Sequence, residues 1–277
     1  MKIKPLTGYL GAEITDTDIR DPAEFNAIRE AFIRHSIIVI RNQQATPDDH
    51  LNFARRFGPI NVNRFFKNLE THPEIAIVLK EADQKGAIGE EWHTDHSYDD
   101  SPALGSILHA LELPPYGGDT AFVSMAAVFE NFSEPVKRML RGLKAWHSSR
   151  HVFGAAQANS ESVKSGRISN AELANQDVLH PVVIRHPLSG RENLFVNPQF
   201  TTQIEGLSRE ESRAILEMIY EQCRKPEFQA RVSWNVGDVT MWDNRATWHK
   251  AINDYHGFRR YMHRVTVEGC PLEPALM

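Results

Sequence analysis

The chain has 277 residues, 41% of them hydrophobic, and a formal net charge of −5. That is enough apolar material for one β-sandwich or barrel with added helices, so residues 1–277 read as a single domain. No basic run suits nucleic acid or an anionic membrane, no apolar run nears the ~20 residues that span a bilayer, and no signal-peptide core opens the chain.

Asp21-Pro22 opens the first helix, with Phe25, Ile28 and Phe32 at helical spacing. Ser36 to Arg41 (SIIVIR) is a short β-branched run and reads as a buried strand. Thr46-Pro47-Asp48-Asp49 starts a second helix, ended by Gly58-Pro59. Ser208 and Glu211 form a capping box ahead of Ile215, Leu216, Met218 and Ile219. The rest reads as short β-rich segments divided by turns such as PPYGGD (114–119), HPLSG (186–190) and WNVGD (234–238). That spacing favours an antiparallel sandwich or barrel over alternating βαβ units. Residues 154–177 are polar and without apolar period, and are expected to form a mobile loop or lid. The two cysteines, Cys223 and Cys270, share no metal-binding spacing, and a reduced, cytoplasmic protein is the simpler expectation.

Candidate chemistry begins at Glu91-Trp92-His93-Thr94-Asp95-His96. On an extended segment, side chains two apart share a face, so His93 and Asp95 converge while Thr94 points away. One imidazole and one carboxylate are two ligands of a facial triad; a second, distant histidine would complete the ligand set of non-haem iron(II) oxygenases. His-x-Asp alone is a weak signal, and His93 with His96 would be the pair if the stretch were helical. Downstream, VTMW (239–242) reads as a strand and DNR (243–245) as a turn, which leaves His249 opening the next segment. Local composition equally allows His249 to be a solvated loop histidine.

Arg259 to Val267 reads as a strand on which Arg260 and Arg264 share one face, with α-carbons roughly 13 Å apart. Buried arginines require partners, and bound anions would serve. The alternative is that both face solvent or pair with local acids such as Glu268.

Taken together, WHTD (92–95), PPYGGDT (114–120), WDNRATWH (242–249) and RRYMHRVT (259–266) resemble, in order and spacing, the taurine dioxygenase/aryloxyalkanoate dioxygenase family. LTGYLGAEIT (6–15), FARRFGP (53–59) and HPLSGREN (186–193) are similar to it too, so the likeness spans nearly the whole chain. The resemblance implies an α+β, mainly β fold: a double-stranded β-helix (jelly roll) with flanking helices. It implies iron(II) on His93, Asp95 and His249, with 2-oxoglutarate and O2 as co-substrates. Thr120 and Arg260 would hold the distal carboxylate of 2-oxoglutarate. Arg264 would meet the anionic group of a small organic substrate, a carboxylate or sulfonate, and Trp242 would line the pocket near the iron; His96, a departure from the taurine enzymes, either adds a substrate contact or merely packs. The implied reaction is hydroxylation, with C–O or C–S cleavage where the hydroxylated carbon bears a heteroatom, and release of succinate and CO2. Asp95 fills the position that related halogenases leave open for halide, so halogenation is not expected. His96, Ser97, Tyr98 and Gly89 depart from the taurine enzymes, and IGEEWHTD (88–95) and HSSRHVFG (147–154) are closer to the aryloxyalkanoate enzymes. A homo-oligomer is compatible with the resemblance. Two other classes compete: a jelly-roll protein that binds a metal and a small anion without catalysis, and a hydrolytic zinc enzyme with the same ligands.

Overall fold

The computed structural model describes residues 1–157 and 160–275. Its largest sheet runs, in spatial order, Lys2–Pro5, Ala12–Thr15, Ile37–Ile40, Val239–Asp243, Gly105–Glu112, Arg260–Val267, His72–Lys80 and Asn68–Leu69. Neighbours are antiparallel except Ala12–Thr15 and Ile37–Ile40, which pair parallel. A smaller sheet runs Gln229–Val232, Thr120–Ser124, Thr247–Ala251. It packs against the inner face of the large one: Phe122, Ala230 and Val232 share a core with Ile37, Val39, Trp242 and Met262.

Strand alternation decides what lies on each side. Val265 and Val267 point outward to a second core with Ile28, Phe32, Leu51 and Phe53 of helices Phe25–His35 and Pro47–Arg55. The helices start as the sequence foretells. Thr46 and Asp49 form a capping box on the second, while the Asp21 carboxylate accepts from Ala23 N just ahead of the first. The first ends at Ser36, left-handed at φ 61°, directly before the buried strand Ile37–Ile40. Helix Arg209–Cys223 carries the Ser208/Glu211 box and packs Leu216 and Ile219 into a third core behind the small sheet, against Val123 and Trp248.

One expectation needs correction. Residues 125–141, read as β-rich, are the helices Met125–Glu130 and Glu134–Arg141. Met125 to Phe129 are all buried, so that helix has no polar stripe to betray its period. Within 154–177, expected to form a loop or lid, the described residues include the short helical turns Ala155–Gln157, Glu161–Lys164 and Ala171–Leu173; Ala158 and Asn159 lie outside the described residues. No helix among the described residues is long and apolar enough to cross a membrane.

Candidate metal centre

His93 does not lie on a strand, contrary to the extended reading. It makes an isolated antiparallel bridge to His249: His93 N donates to His249 O at 3.1 Å and His249 N donates to His93 O at 2.9 Å. The chain turns immediately after Asp95, with His96 at φ +59°. The bridge nevertheless achieves what a strand would, because Thr94 points away and donates its hydroxyl to Thr247 O at 3.0 Å. His249, from strand Thr247–Ala251, faces the same point. Ligand atoms of His93, Asp95 and His249 all lie within 4.8 Å of one another, and all three residues are buried.

The donor set suits a divalent metal. Each histidine Nε2 stands 3.6 Å from an Asp95 oxygen, beyond a good hydrogen bond and leaving room for an ion between them. His93 Nδ1 must donate to the Glu91 carbonyl at 2.7 Å, which directs the Nε2 lone pair into the site. Burial, then repulsion by His93, lowers the His249 pKa well below its usual value and keeps the imidazole neutral, as a ligand must be. Burial alone would raise the Asp95 carboxyl, but the Arg264 guanidinium, first among the opposing groups, helps to hold it well below the usual carboxylate range. Ser106 Oγ donates to Asp95 Oδ2 at 2.8 Å and fixes the carboxylate.

Deeper support comes from the turn between strands Val239–Asp243 and Thr247–Ala251. Buried Asp243 accepts from Arg245 Nε at 3.0 Å and an Arg245 terminal nitrogen at 2.9 Å, and pairs with His186 Nε2 at 3.0 Å. Arg245 and His186 outweigh the burial penalty and hold Asp243 below the usual carboxylate range. WDNR and HPLSG thus cooperate to hold the turn that presents His249. Trp242 and Phe122 press on the His249 ring, at centroid distances of 4.7 and 6.1 Å.

The three residues lie in the wall of a pocket that Thr120, Trp242, Arg260, Arg264 and His96 also line. Arg260, Met262 and Arg264 point inward from one strand face, as alternation requires. Arg260 is 5% exposed, and its Nε has no hydrogen-bond partner among the described residues; burial pushes its guanidinium down from its usual range, with Tyr255 and Asp119 opposing. Arg264 lies 4.3 Å above the Phe66 ring and 3.4 Å from both Asp95 oxygens, with Nε unpartnered. Glu268 pairs with Asn61 at 3.1 Å instead, so the local-acid alternative does not hold. Thr120 Oγ1 accepts from Trp234 Nε1 at 3.1 Å. His96 is 2% exposed and donates from Nδ1 to Asp99 at 2.9 Å, and Asp99 also binds Arg64. The far wall is apolar, with Phe66, Tyr98, Val152, Phe153, Ile168 and Phe200.

Sequence reading overlooked Ser106, Trp234 and Phe122. Ser106 and Phe122 become relevant only through strand pairing with distant residues, and Trp234, just past strand Gln229–Val232, only through its bond to Thr120.

Comparison with known proteins agrees with this geometry. The sequence model of the "Taurine catabolism dioxygenase TauD, TfdA family" matches residues 2–266. The chain belongs to the TauD/TfdA family. Among relatives of this family, an alkylsulfatase of Acinetobacter baylyi is 31% identical over 281 residues, covering 97% of this chain and 85% of the relative. An alpha-ketoglutarate-dependent 2,4-dichlorophenoxyacetate dioxygenase of a Burkholderia species is 33% identical over 274 residues, covering 91% and 89%. A crystal structure of a taurine dioxygenase from Burkholderia xenovorans superposes with a TM-score of 0.80 at 32% identity, covering 97% of this chain and 89% of that one. AAD-2, crystallised with Mn(II) and N-oxalylglycine, gives a TM-score of 0.75 at 26% identity, covering 99% of each chain. Strands outnumber helices among the described residues of this chain.

Proposed function

We propose that this protein is an iron(II)- and 2-oxoglutarate-dependent dioxygenase that hydroxylates a small organic anion. The observation that carries the reading is the buried convergence of His93, Asp95 and His249 in a pocket whose strand wall also bears Arg260 and Arg264. Two imidazoles and one carboxylate leave metal positions open for a chelating 2-oxo acid and for oxygen. Iron(II) bound there would supply the oxygen chemistry: one atom of O2 enters succinate as 2-oxoglutarate loses CO2, and the other enters a C–H bond of the substrate. If that carbon bears oxygen or sulfur, the hydroxylated product breaks at the C–O or C–S bond.

The chain's own groups would divide the remaining work. Arg260 and the Thr120 hydroxyl hold the distal carboxylate of 2-oxoglutarate; Trp234 leaves the Thr120 proton free to donate by taking its lone pair. Arg264 holds the substrate's carboxylate or sulfonate while its other edge faces Asp95. Trp242 and Phe122 exclude water from the His249 side, and His96 lines the substrate side. We read the two facing sheets as the halves of a double-stranded β-helix, with residues 1–277 working as a single domain. Segment 154–177 is proposed as the lid, since Gln157, Ser160, Ser162, Val163 and Ile168 line the same pocket. Binding without catalysis is not favoured, because relatives across the full length bear the names of enzymes.

The test is succinate release by the purified protein with iron(II), ascorbate, O2 and 2-oxoglutarate against a panel of sulfonates, sulfate esters and aryloxy acids. At least one should stimulate stoichiometric succinate formation; none doing so contradicts the reading.

A further inference from the structure

The inner row of strand Arg260–Val267 continues onto its neighbour. In the antiparallel register Arg264 lies opposite Ala76, Met262 opposite Val78 and Arg260 opposite Lys80. Residues directly opposite share a face, so Lys80 stands beside Arg260. It is 2% exposed, and its Nζ has no hydrogen-bond partner among the described residues. Nζ instead lies 4.6 Å from the centre of the Tyr255 ring. Tyr255 in turn meets Arg260 around Gly118, where an added Cβ would come within 3.3 Å of Tyr255 Cδ1 and 3.4 Å of Arg260 Cδ. Arg260 then lies 5.7 Å over Trp234, the residue that donates to Thr120.

Two buried basic side chains therefore stand opposite each other on one face, with Lys80 Nζ and Arg260 Nε both without a hydrogen-bond partner among the described residues. Contacts with aromatic rings offset only part of the cost of burying them. An anion arriving at Arg260 answers both.

We infer that Lys80 is a second cation of the distal-carboxylate subsite, selecting with Arg260 a 2-oxo acid that carries a second carboxylate. This rests on the reading of Arg260 and Thr120 given above. Lys80 acts through intervening protein instead of by contact, where a low effective dielectric keeps its field strong.

The experiment is calorimetric titration of the manganese(II)-loaded protein, wild type, K80M and K80Q, with 2-oxoglutarate and with 2-oxovalerate, which lacks the distal carboxylate. Both variants should bind 2-oxoglutarate about tenfold more weakly and 2-oxovalerate within about twofold of wild type. Equal weakening of both acids means that the lysine stem merely packs on Tyr255, and unchanged 2-oxoglutarate affinity means that its charge is idle; either overturns the inference. Using two neutral replacements guards against one failing to fold, and K80R should restore most of the affinity. If wild type itself does not bind 2-oxoglutarate, the dioxygenase reading fails first, a different result from a silent Lys80.

Discussion

Thr120, His249, Arg260 and Arg264 all stand on strands of the two facing sheets, whereas Phe66, Ile88, Val152, Val163 and Ile168 reach the same pocket from connections and short helical turns. The first group is fixed by ladder hydrogen bonds and by cores on both sides. The second is held by sparse contacts such as Arg167, which donates to Gly86 O at 3.0 Å and faces Glu161 at 3.4 Å. We propose that the rigid end holds the metal, 2-oxoglutarate and the substrate's anionic group, and that the adaptable end shapes the rest of the substrate pocket.

Variants should separate the two ends. The largest effect belongs to the metal residues: Asp95→Ala should reduce succinate formation below detection, on the order of 10³-fold or more, because it removes both a ligand and the counter-charge of Arg264. Next is Arg260→Met, expected to raise the KM for 2-oxoglutarate on the order of 100-fold while changing the substrate KM little. Arg264→Met should do the reverse, raising the substrate KM tens of fold and wasting 2-oxoglutarate in uncoupled turnover. If either arginine variant moved both KM values alike, the assignment of Arg260 to 2-oxoglutarate and Arg264 to the substrate would fail. Arg167→Ala should act more weakly, changing the substrate KM within about tenfold and leaving 2-oxoglutarate binding intact.

The smallest effect concerns the scaffold behind the rigid end. Burial, then repulsion by His109 and His263, lowers His50 from 6.5 to about 3. Burial, then His109, lowers His263 to about 4. Both folded values lie below the unfolded one, so the unfolded chain takes up protons that the fold refuses. Stability is complete above pH ~6.5 and falls as the pH drops towards about 4. For His50 the loss by pH 5 is about 2 kcal/mol. Urea midpoints at pH 7 and pH 5 measure it, and His50→Gln should flatten the dependence; parallel curves would show that His50 does not titrate on unfolding.

How much of this the sequence could convey follows the same division. Capping residues placed helices Pro47–Arg55 and Arg209–Cys223, and alternation placed Arg260 and Arg264 on one face, because these are local rules. The pairing of His93 with Asp95 was legible from two-residue spacing, although a bridge and a turn realise it instead of a strand. His249 could be joined to them only through family motifs, since its approach depends on sheet pairing across more than half the chain. Lys80 and Ser106 carried no local signal: a lysine ending an apolar strand looks solvated until its register with Arg260 is known. The all-buried helix Met125–Glu130 was lost for a related reason, the absence of a polar face to set its period.

The most direct test of the central claim is anaerobic equilibrium binding of iron(II) to wild type, Asp95→Ala, His249→Ala and His96→Ala. The account predicts one iron per chain for wild type and His96→Ala, and none for the other two. Loss of iron in His96→Ala with retention in Asp95→Ala would contradict it.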